Sequence, residues 1–320
     1  MDEELANDNI SISSPSYPEK PKEEIGKQSI NRSLLSIGLF IAASYFVFGT
    51  DLTYILILTL VILIHELGHF IAMRLFGYGD VNIFFVPLVG AFASGTKENV
   101  SQRQSIIMLL AGPMPGVFIG VILYYFGLKD ESNFLIRSAN IFIFLNLFNL
   151  LPVMPLDGGR IIKSLFFEAN ELVGKIFIII SIALLTLYAF YAESYFILIV
   201  PFFLLIQLNS QSQSKNVQVS VEAKGIDLRK SFSELSNEEY WLIRDEVGKH
   251  MSYFKQFITP GEYRISEGEQ KIIRQVKEIL STQTTQDLSL IGKILVVASI
   301  LVAFFAPFVL IGIFQVLLQA

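Results

Sequence analysis

Two histidines one helical turn apart, His65 and His69, are the first residues in the sequence whose types and spacing allow chemistry. Positions i and i+4 lie on the same face of a helix, so both imidazoles can bind one metal ion. Glu66 follows the first histidine, and its carboxylate can take a proton from an activated water and return it to a leaving amine. Because neutral imidazole suits zinc, the pattern His-Glu-x-x-His predicts a zinc centre with a general base beside it.

A catalytic zinc site usually has three protein ligands, so a third ligand must come from elsewhere in the chain. The chain has no cysteine, and its one other histidine, His250, lies in a polar segment where we expect a solvated or partner-facing side chain. A carboxylate is therefore expected, and Asp157 is the candidate. It ends an apolar segment between prolines, which break helices, and glycines, which allow tight turns.

The composition around these residues is typical of a membrane protein. Hydrophobic residues make up 52% of the chain and charged residues 17%, which excludes an intrinsically disordered protein. The absence of cysteine excludes a disulfide-stabilised scaffold. The 24 basic and 29 acidic residues leave a formal charge of -5, so no nucleic-acid partner is expected.

Apolar segments follow one another along most of the chain, and most approach the ~20 residues that a helix needs to cross a bilayer. They are residues 33–49, 53–76, 104–127, 134–151, 172–191, 195–208 and 289–318. The segment 195–208 is short and contains Pro201, so it is the weakest candidate for a full crossing. The predicted fold class is an all-α polytopic membrane protein with about six to seven transmembrane helices.

Four regions are predicted from the shifts in composition. Residues 1–32 are a flexible polar tail, and residues 33–208 form a transmembrane core that contains the motifs. Residues 209–288 form a soluble helical segment, and residues 289–320 form a C-terminal transmembrane helix.

The soluble segment contains two helix-start patterns, Ser236 with Glu239 and Ser266 with Glu269. Apolar residues then recur at spacings of three and four, and we expect them on one face of the first helix: Tyr240, Ile243, Val247, Met251, Phe254 and Ile258. A second helix contains Ile272, Val276 and Ile279, after a turn at Pro260 and Gly261. This helical pair is expected to pack against the membrane face or against another copy of the chain. In the second case, residues 209–288 would form a homo-oligomer contact.

The positions of lysine and arginine predict the orientation in the membrane. If the N-terminal tail is inside, most basic residues near the apolar segments and the whole of 209–288 fall on the cytoplasmic side, which leaves mainly Lys129 and Arg137 outside. We therefore expect a multi-pass protein of the cell (cytoplasmic) membrane, with the histidine pair and Asp157 toward the cytoplasm.

Together these motifs resemble the site-2 protease family of intramembrane zinc metalloproteases, over about residues 53–170. The resemblance rests on His65–His69, on Ala111-Gly112-Pro113, and on the pattern Asn-x-x-Pro-x-x-x-Leu-Asp-Gly that runs from Asn149 to Gly158. It implies one zinc ion per chain held by His65, His69 and Asp157, with Glu66 as the general base. It also implies that Asn149 and Pro152 lie near the bound substrate, which would be a membrane-anchored protein within the lipid bilayer.

The resemblance extends to the stretch 81–92, which resembles the membrane-associated β-hairpin or sheet of the family. An exposed edge there would pair with an unwound substrate by strand addition. Two features depart from the family: Gly116 stands where members often have asparagine, and the chain contains no inserted segment long enough for a PDZ domain.

The predicted function is a zinc-dependent endopeptidase that hydrolyses a peptide bond in or near a transmembrane segment. One alternative is a metal-ion transporter that uses the same His, Glu and Asp residues, although a transporter is expected to distribute polar residues along several spans. Another alternative is an interaction protein that keeps the zinc site without activity, against which the intact Glu66 argues.

Overall fold

The computed structural model describes residues 17–22, 30–49, 51–87, 90–97, 100–167, 170–280 and 285–319. Contacts divide the chain into two compact units. The smaller unit comprises Met1–Glu24 and Ser212–Thr282, and the larger unit comprises Ile25–Gln211 and Gln283–Ala320.

Helices dominate both units. They are α1 (Ile30–Phe48), α2 (Leu52–Leu75), α3 (Gln102–Ala111), α4 (Pro113–Lys129), α5 (Asn133–Asn149), α6 (Asp157–Ile162), α7 (Glu171–Tyr191), α8 (Ile199–Ala223), α9 (Asn237–His250), α10 (Glu269–Leu280) and α11 (Leu290–Gln319). A π-helical turn at Lys163–Phe167 continues α6, and short 3₁₀ turns lie at Tyr195–Leu198, Phe232–Glu234 and Ser252–Gln256.

Four described helical stretches are long and apolar enough to cross a membrane: Leu52–Leu75, Gln102–Lys129, Leu172–Tyr191 and Leu290–Leu318. A shorter apolar helix covers Asn31–Val47. Helix α5 has 17 residues and is therefore about 26 Å long, slightly shorter than a hydrocarbon core of about 30 Å. The predicted class, an all-α polytopic protein with a small sheet, is confirmed. Helix α8 differs from the predicted segment 195–208, because it continues without a break into polar sequence as far as Ala223.

The predicted β-hairpin follows α2 and is confirmed as one two-stranded antiparallel sheet, formed by β1 (Gly79–Val86) and β2 (Gly90–Thr96). Residues 88–89 of the predicted stretch lie outside the described residues. The outer edge of β1 is occupied by α1. The Ser33 hydroxyl donates to the carbonyl of Ile83 at 2.8 Å, and the N–H of Phe85 donates to the Ser36 hydroxyl at 3.1 Å.

The outer edge of β2 is defined by the register of this pair, in which Ile83 faces Ala93 and Phe85 faces Ala91. In an antiparallel ladder, pairs that exchange backbone hydrogen bonds alternate with pairs that do not. Ile83 and Phe85 direct their backbone groups to α1, so the pairs Ile83–Ala93 and Phe85–Ala91 do not exchange backbone hydrogen bonds. The backbone N–H and C=O groups of Ala91 and Ala93 therefore point away from β1, toward the outer edge of β2.

The core of the smaller unit lies between α8, α9 and α10. Its buried residues include Val217, Val221, Tyr240, Trp241, Ile243, Val247, Met251, Phe254, Ile258, Ile272, Val276 and Ile279. The helix start at Ser236 is confirmed, since its hydroxyl accepts from the N–H of Glu239 at 3.1 Å and its own N–H donates to the Glu239 carboxylate.

The first predicted helix of this unit is shorter than expected. Helix α9 ends at His250, so Met251, Phe254 and Ile258 do not share its face, although all three are buried. The reason is that Ile258 packs directly on Gly248, where an added Cβ would lie 2.5 Å from its side chain. A continued helix would place these two residues about 15 Å apart, so the chain has to turn back after His250.

The predicted flexible tail, residues 1–32, also differs from the structure in its described part. Residues 17–22 lie in extended conformation within the smaller unit, and α1 begins at Ile30, inside the predicted tail. The rest of the predicted tail, residues 1–16 and 23–29, lies outside the described residues.

Candidate metal centre

Helix α2 and the start of α6 bring the predicted ligands together. Helix α2 is mostly apolar, and its polar residues His65, Glu66 and His69 are all buried. Asp157 is the first residue of α6 and is also buried. Helix α3 connects the two elements by packing, because Ile106 and Leu109 form one buried cluster with Ile161 and Leu165, which follow Asp157.

Three ligand atoms converge at this point. The Asp157 Oδ2 atom lies 3.0 Å from the Nε2 of His65 and 3.2 Å from the Nε2 of His69. The two Nε2 atoms lie 3.1 Å apart. Among the described residues, these three form the group of histidine and carboxylate side chains that could hold a metal ion. The other Asp157 oxygen, Oδ1, lies 3.9 Å from the guanidinium group of Arg160.

The protonation of His65 follows from its neighbour Asn146 on α5. The amide nitrogen of Asn146 donates to the carbonyl of Phe142 at 2.8 Å, so its oxygen is the atom that faces His65. That oxygen lies 2.9 Å from the Nδ1 of His65 and can only accept a hydrogen bond. Nδ1 of His65 therefore carries the proton, and its Nε2 presents a lone pair to the cluster.

A backbone carbonyl fixes the proton of His69 on Nδ1, as Asn146 does for His65. Its Nδ1 lies 2.8 Å from the carbonyl oxygen of Met108 on α3, and a carbonyl oxygen is an acceptor only. Nδ1 of His69 therefore donates, and its Nε2 also presents a lone pair to the cluster. Fixing the far nitrogen in this way is the usual means by which proteins orient histidines that bind metal.

Two imidazole lone pairs and a carboxylate oxygen thus meet at 3.0–3.2 Å with no donor hydrogen between them. Three acceptors at this separation repel one another unless a cation lies among them. A tetrahedral zinc ion with ligand bonds of about 2.0–2.1 Å requires donor atoms about 3.3–3.4 Å apart, which is slightly longer than the observed spacing of 3.0–3.2 Å. His65, His69 and Asp157 therefore fit a zinc ion by ligand type, number and distance.

Gly112, between α3 and α4, and Gly116, within α4, leave the space that the cluster needs. A Cβ on Gly112 would lie 2.4 Å from the ring of His69 and 3.0 Å from the Nε2 of His65. A Cβ on Gly116 would lie 2.0 Å from the amide nitrogen of Asn146. Position 116, where members of the site-2 protease family often have asparagine, therefore has no room for a side chain here, because Asn146 from α5 occupies that space.

Glu66 lies between the ligand cluster and the sheet. It is buried, and the backbone N–H of Ala93 on β2 faces its carboxylate. Helix α2 packs against β2 along this region. The carboxylate that sequence analysis assigned as general base therefore lies at the outer edge of β2, next to the first histidine.

The other predicted residues are not part of the cluster. The amide of Asn149 donates to the carbonyl of Leu145 in its own helix at 3.1 Å, and Pro152 is exposed. His250 belongs to the smaller unit, where its Nε2 lies 3.0 Å from the Ser220 hydroxyl. That histidine is half-buried and does not belong to the cluster of His65, His69 and Asp157.

Asn146 and Met108 are the contributors that sequence analysis missed. Asn146 had a detectable signal, since it is a polar residue one helical turn before Asn149 in an otherwise apolar segment. Met108 had none, because it contributes a backbone carbonyl that any residue at that position would supply.

Comparisons with known proteins agree with this geometry. Residues 53–133 match the family described as Peptidase family M50, a range that includes His65, Glu66 and His69 and ends before Asp157. The chain is 29% identical over 132 residues to Stage IV sporulation protein FB of Bacillus subtilis, covering 40% of this chain and 45% of that protein. It is 26% identical over 109 residues to Zinc metalloprotease MJ0392 of Methanocaldococcus jannaschii, covering 32% of this chain and 31% of that protein.

A third relative, Putative zinc metalloprotease sll0528 of Synechocystis, is 31% identical over 109 residues, which cover 32% of this chain and 28% of that protein. The chain thus spans less than half the length of each of these curated relatives. The family match and the four apolar helices together make the chain an integral membrane protein. Residues 53–133 are similar to Peptidase family M50, and the resemblance of the chain to the site-2 protease family is confirmed.

Proposed function

We propose that this protein is a zinc-dependent intramembrane endopeptidase that cleaves membrane-anchored proteins in or near a transmembrane segment. The observation that carries the proposal is the convergence of two Nε2 lone pairs and the Asp157 carboxylate beside the buried Glu66. Relatives named as zinc metalloproteases support it.

In this proposal His65, His69 and Asp157 hold one zinc ion per chain. When bound, zinc supplies a Lewis acid that polarises a peptide carbonyl and makes water more acidic. Glu66 takes a proton from the attacking water and delivers it to the leaving amine nitrogen, which is the usual task of a carboxylate in this position. Asn146 and Met108 keep the Nδ1 protons of the two histidines in place, so that both Nε2 atoms stay available.

The substrate has to be extended before it can react, because the carbonyl groups of a membrane helix are already hydrogen-bonded within the helix. The outer edge of β2 offers outward-facing backbone groups at Ala91 and Ala93, and the N–H of Ala93 also faces Glu66. An extended segment added to this edge would therefore run beside the general base. Asn149 and Pro152 remain proposed substrate contacts, on the family resemblance alone.

The wider assignments are also part of the proposal. We place the protein in the cytoplasmic membrane with the zinc site toward the cytoplasm, from the distribution of basic residues. We also propose a catalytic core at 33–208, a soluble segment at 209–288 and a final membrane helix at 289–320, with self-association through 209–288. The predicted tail at 1–32 is not kept, because residues 17–22 belong to the smaller unit and α1 begins at Ile30.

The transporter alternative is less well supported. Ionisable residues that line an ion path are expected at several depths. Among the described residues, one group of side chains could hold a metal ion, and it consists of His65, His69 and Asp157. The relatives' names likewise describe proteases rather than transporters.

The test is the variant Glu66→Gln in reconstituted vesicles. Single-span proteins that co-purify with Glu66→Gln from native membranes provide the substrates, and each is then incubated with the wild-type protein. We expect wild-type protein and the exposed control Glu222→Gln to release a truncated product, and Glu66→Gln to bind zinc normally but to release none. Cleavage by Glu66→Gln at the wild-type rate would refute the proposal.

A further inference from the structure

A short extended segment, Tyr17-Pro18-Glu19-Lys20-Pro21-Lys22, lies in a groove of the smaller unit. Its two prolines fix the backbone angle φ and cannot donate backbone hydrogen bonds. The residues before them, Tyr17 and Lys20, are thereby held in extended conformation. The segment is thus preorganised to lie along a surface, and Pro21 is buried in doing so.

The groove contacts the backbone of every second residue. The indole N–H of Trp241 donates to the carbonyl of Pro18 at 2.8 Å. The side-chain oxygen of Asn237 accepts from the N–H of Lys20 at 3.0 Å, and the amide of Gln270 donates to the carbonyl of Lys22 at 3.1 Å. These three side chains come from α9 and α10, so the groove is built on two helices.

Lys20 provides the side-chain specificity. Its ammonium group donates to the backbone carbonyls of Phe232 at 2.9 Å, Ser233 at 3.0 Å and Leu235 at 2.5 Å. These carbonyls lie in and just after a 3₁₀ turn, where they have no helical partner and favour a positive charge. An ammonium group has three N–H donors, and here all three are used.

Aromatic rings complete the groove. Tyr17 packs on Tyr263 with ring centres 4.8 Å apart, and Trp241 lies 6.0 Å from the same ring. The Lys20 ammonium lies 5.3 Å from the centre of the Phe232 ring. An aromatic-lined groove with an indole N–H directed at a proline carbonyl is a recurring way of binding proline-containing peptides.

We propose that this groove is a peptide-recognition site, and that the chain's own residues 17–22 occupy it in competition with a partner. The partner is a protein segment of the same chemistry. It contains an aromatic residue followed by a proline, and further along a lysine followed by a second proline. The contacts favour such a peptide because they use main-chain groups and one ammonium group, all of which a separate chain can supply. The proposal does not depend on proteolytic activity.

The single tryptophan of the chain makes the proposal measurable. Trp241 is fully buried, and its N–H is bound to the segment, so its fluorescence reports whether the groove is filled. The whole 320-residue chain is studied in detergent, with Lys20→Ala to weaken the segment. Lys22→Ala is the matched control, because Lys22 is exposed and the groove contacts its backbone carbonyl.

We expect Lys20→Ala to shift the Trp241 emission to longer wavelength and to increase its quenching by acrylamide, and Lys22→Ala to match the wild type. A free peptide of sequence Tyr-Pro-Glu-Lys-Pro-Lys should reverse the change in Lys20→Ala. Because a tethered segment competes at about millimolar effective concentration, the wild type should need at least about tenfold more peptide. The same peptide with alanine in place of the lysine between glutamate and proline should not bind.

Three results would overturn the proposal. Lys20→Ala could leave the Trp241 emission unchanged, so that Lys20 does not hold the segment. The peptide could fail to reverse the change, so that residues 17–22 are a fixed part of the unit. The alanine peptide could bind as well as the lysine peptide, so that the groove does not recognise lysine. Lys20→Met, which keeps the apolar stem of the side chain, is tested in parallel to separate lost charge from lost packing.

Discussion

Replacing Asn146 by alanine should weaken zinc binding by about 10- to 100-fold, the usual effect of removing a group that orients a metal-bound histidine. The Asn146 oxygen is the acceptor for the Nδ1–H of His65, at 2.9 Å in a buried site. Without it, a buried N–H loses its partner, which costs about 1–3 kcal/mol. A 10- to 100-fold change in affinity corresponds to about 1.4–2.8 kcal/mol, so the two estimates agree.

The assay is competition for zinc between the purified protein and a chelator of known affinity. Asn149→Ala is the matched control, since it removes the same side chain one helical turn later, where the amide contacts the carbonyl of Leu145. We expect the zinc affinity of Asn149→Ala to equal that of the wild type. If Asn146→Ala binds zinc as tightly as the wild type, or if both variants lose affinity equally, the assignment of the Nδ1 proton of His65 is wrong.

Three further substitutions test the metal centre, the edge of β2 and the core of the smaller unit. Gly112→Ala should lower the zinc content at least about tenfold by elemental analysis, because its Cβ would lie 2.4 Å from the His69 ring; full zinc occupancy would contradict this packing. Ala93→Pro removes the N–H at the outer edge of β2 and should abolish cleavage with zinc content unchanged; normal cleavage would exclude strand addition there. Glu269→Gln should lower the free energy of unfolding of the smaller unit by about 3 kcal/mol in urea titrations followed by Trp241 fluorescence, because it leaves the buried Arg244 charge unpaired. The exposed Glu267→Gln should have no effect, and equal stability of the two variants would contradict the role of this ion pair.

The Glu269 ion pair also predicts how the stability of the smaller unit depends on pH. Burial alone would raise the pKa of Glu269, but the hydrogen bonds from Arg244 and Tyr240 lower it overall. The stabilisation is therefore complete above the usual glutamate pKa of about 4.3 and is lost as the pH falls through the lower folded-state value. The pKa of the Tyr240 hydroxyl is raised by burial and by its hydrogen bond to Glu269, so it stays protonated as a donor throughout this range. Urea titrations at pH 7 and at pH 3.5 should show this loss in the wild type, and Glu269→Gln should show less of it.

The cluster of His65, His69 and Asp157 could be predicted from the sequence because its constraints are local or arise by exclusion. His65 and His69 share a helix face at any position where α2 is helical. Asp157 became the third candidate because the chain lacks cysteine and has one other histidine, which lies in polar sequence. The β-hairpin was expected from the family resemblance, to which the β-branched and aromatic residues after α2 contribute.

Other features depend on contacts between residues that are distant in sequence. Asn146 meets His65 across 81 positions, and the carbonyl of Met108 meets His69 across 39 positions. The periodicity of apolar residues continues past His250, so it could not indicate that α9 ends at His250. The helix ends there because Ile258 packs on Gly248. The polar composition of residues 17–22 likewise predicted a flexible tail, since composition does not register the three carbonyls that bind Lys20.

Zinc-edge X-ray absorption of the purified 320-residue chain tests most directly whether His65, His69 and Asp157 form one zinc site. We expect one zinc ion per chain with two imidazole ligands and a carboxylate oxygen, and a loss of that oxygen in Asp157→Ala. A coordination shell with three imidazoles, or one that Asp157→Ala leaves unchanged, would show that these three residues do not form the site.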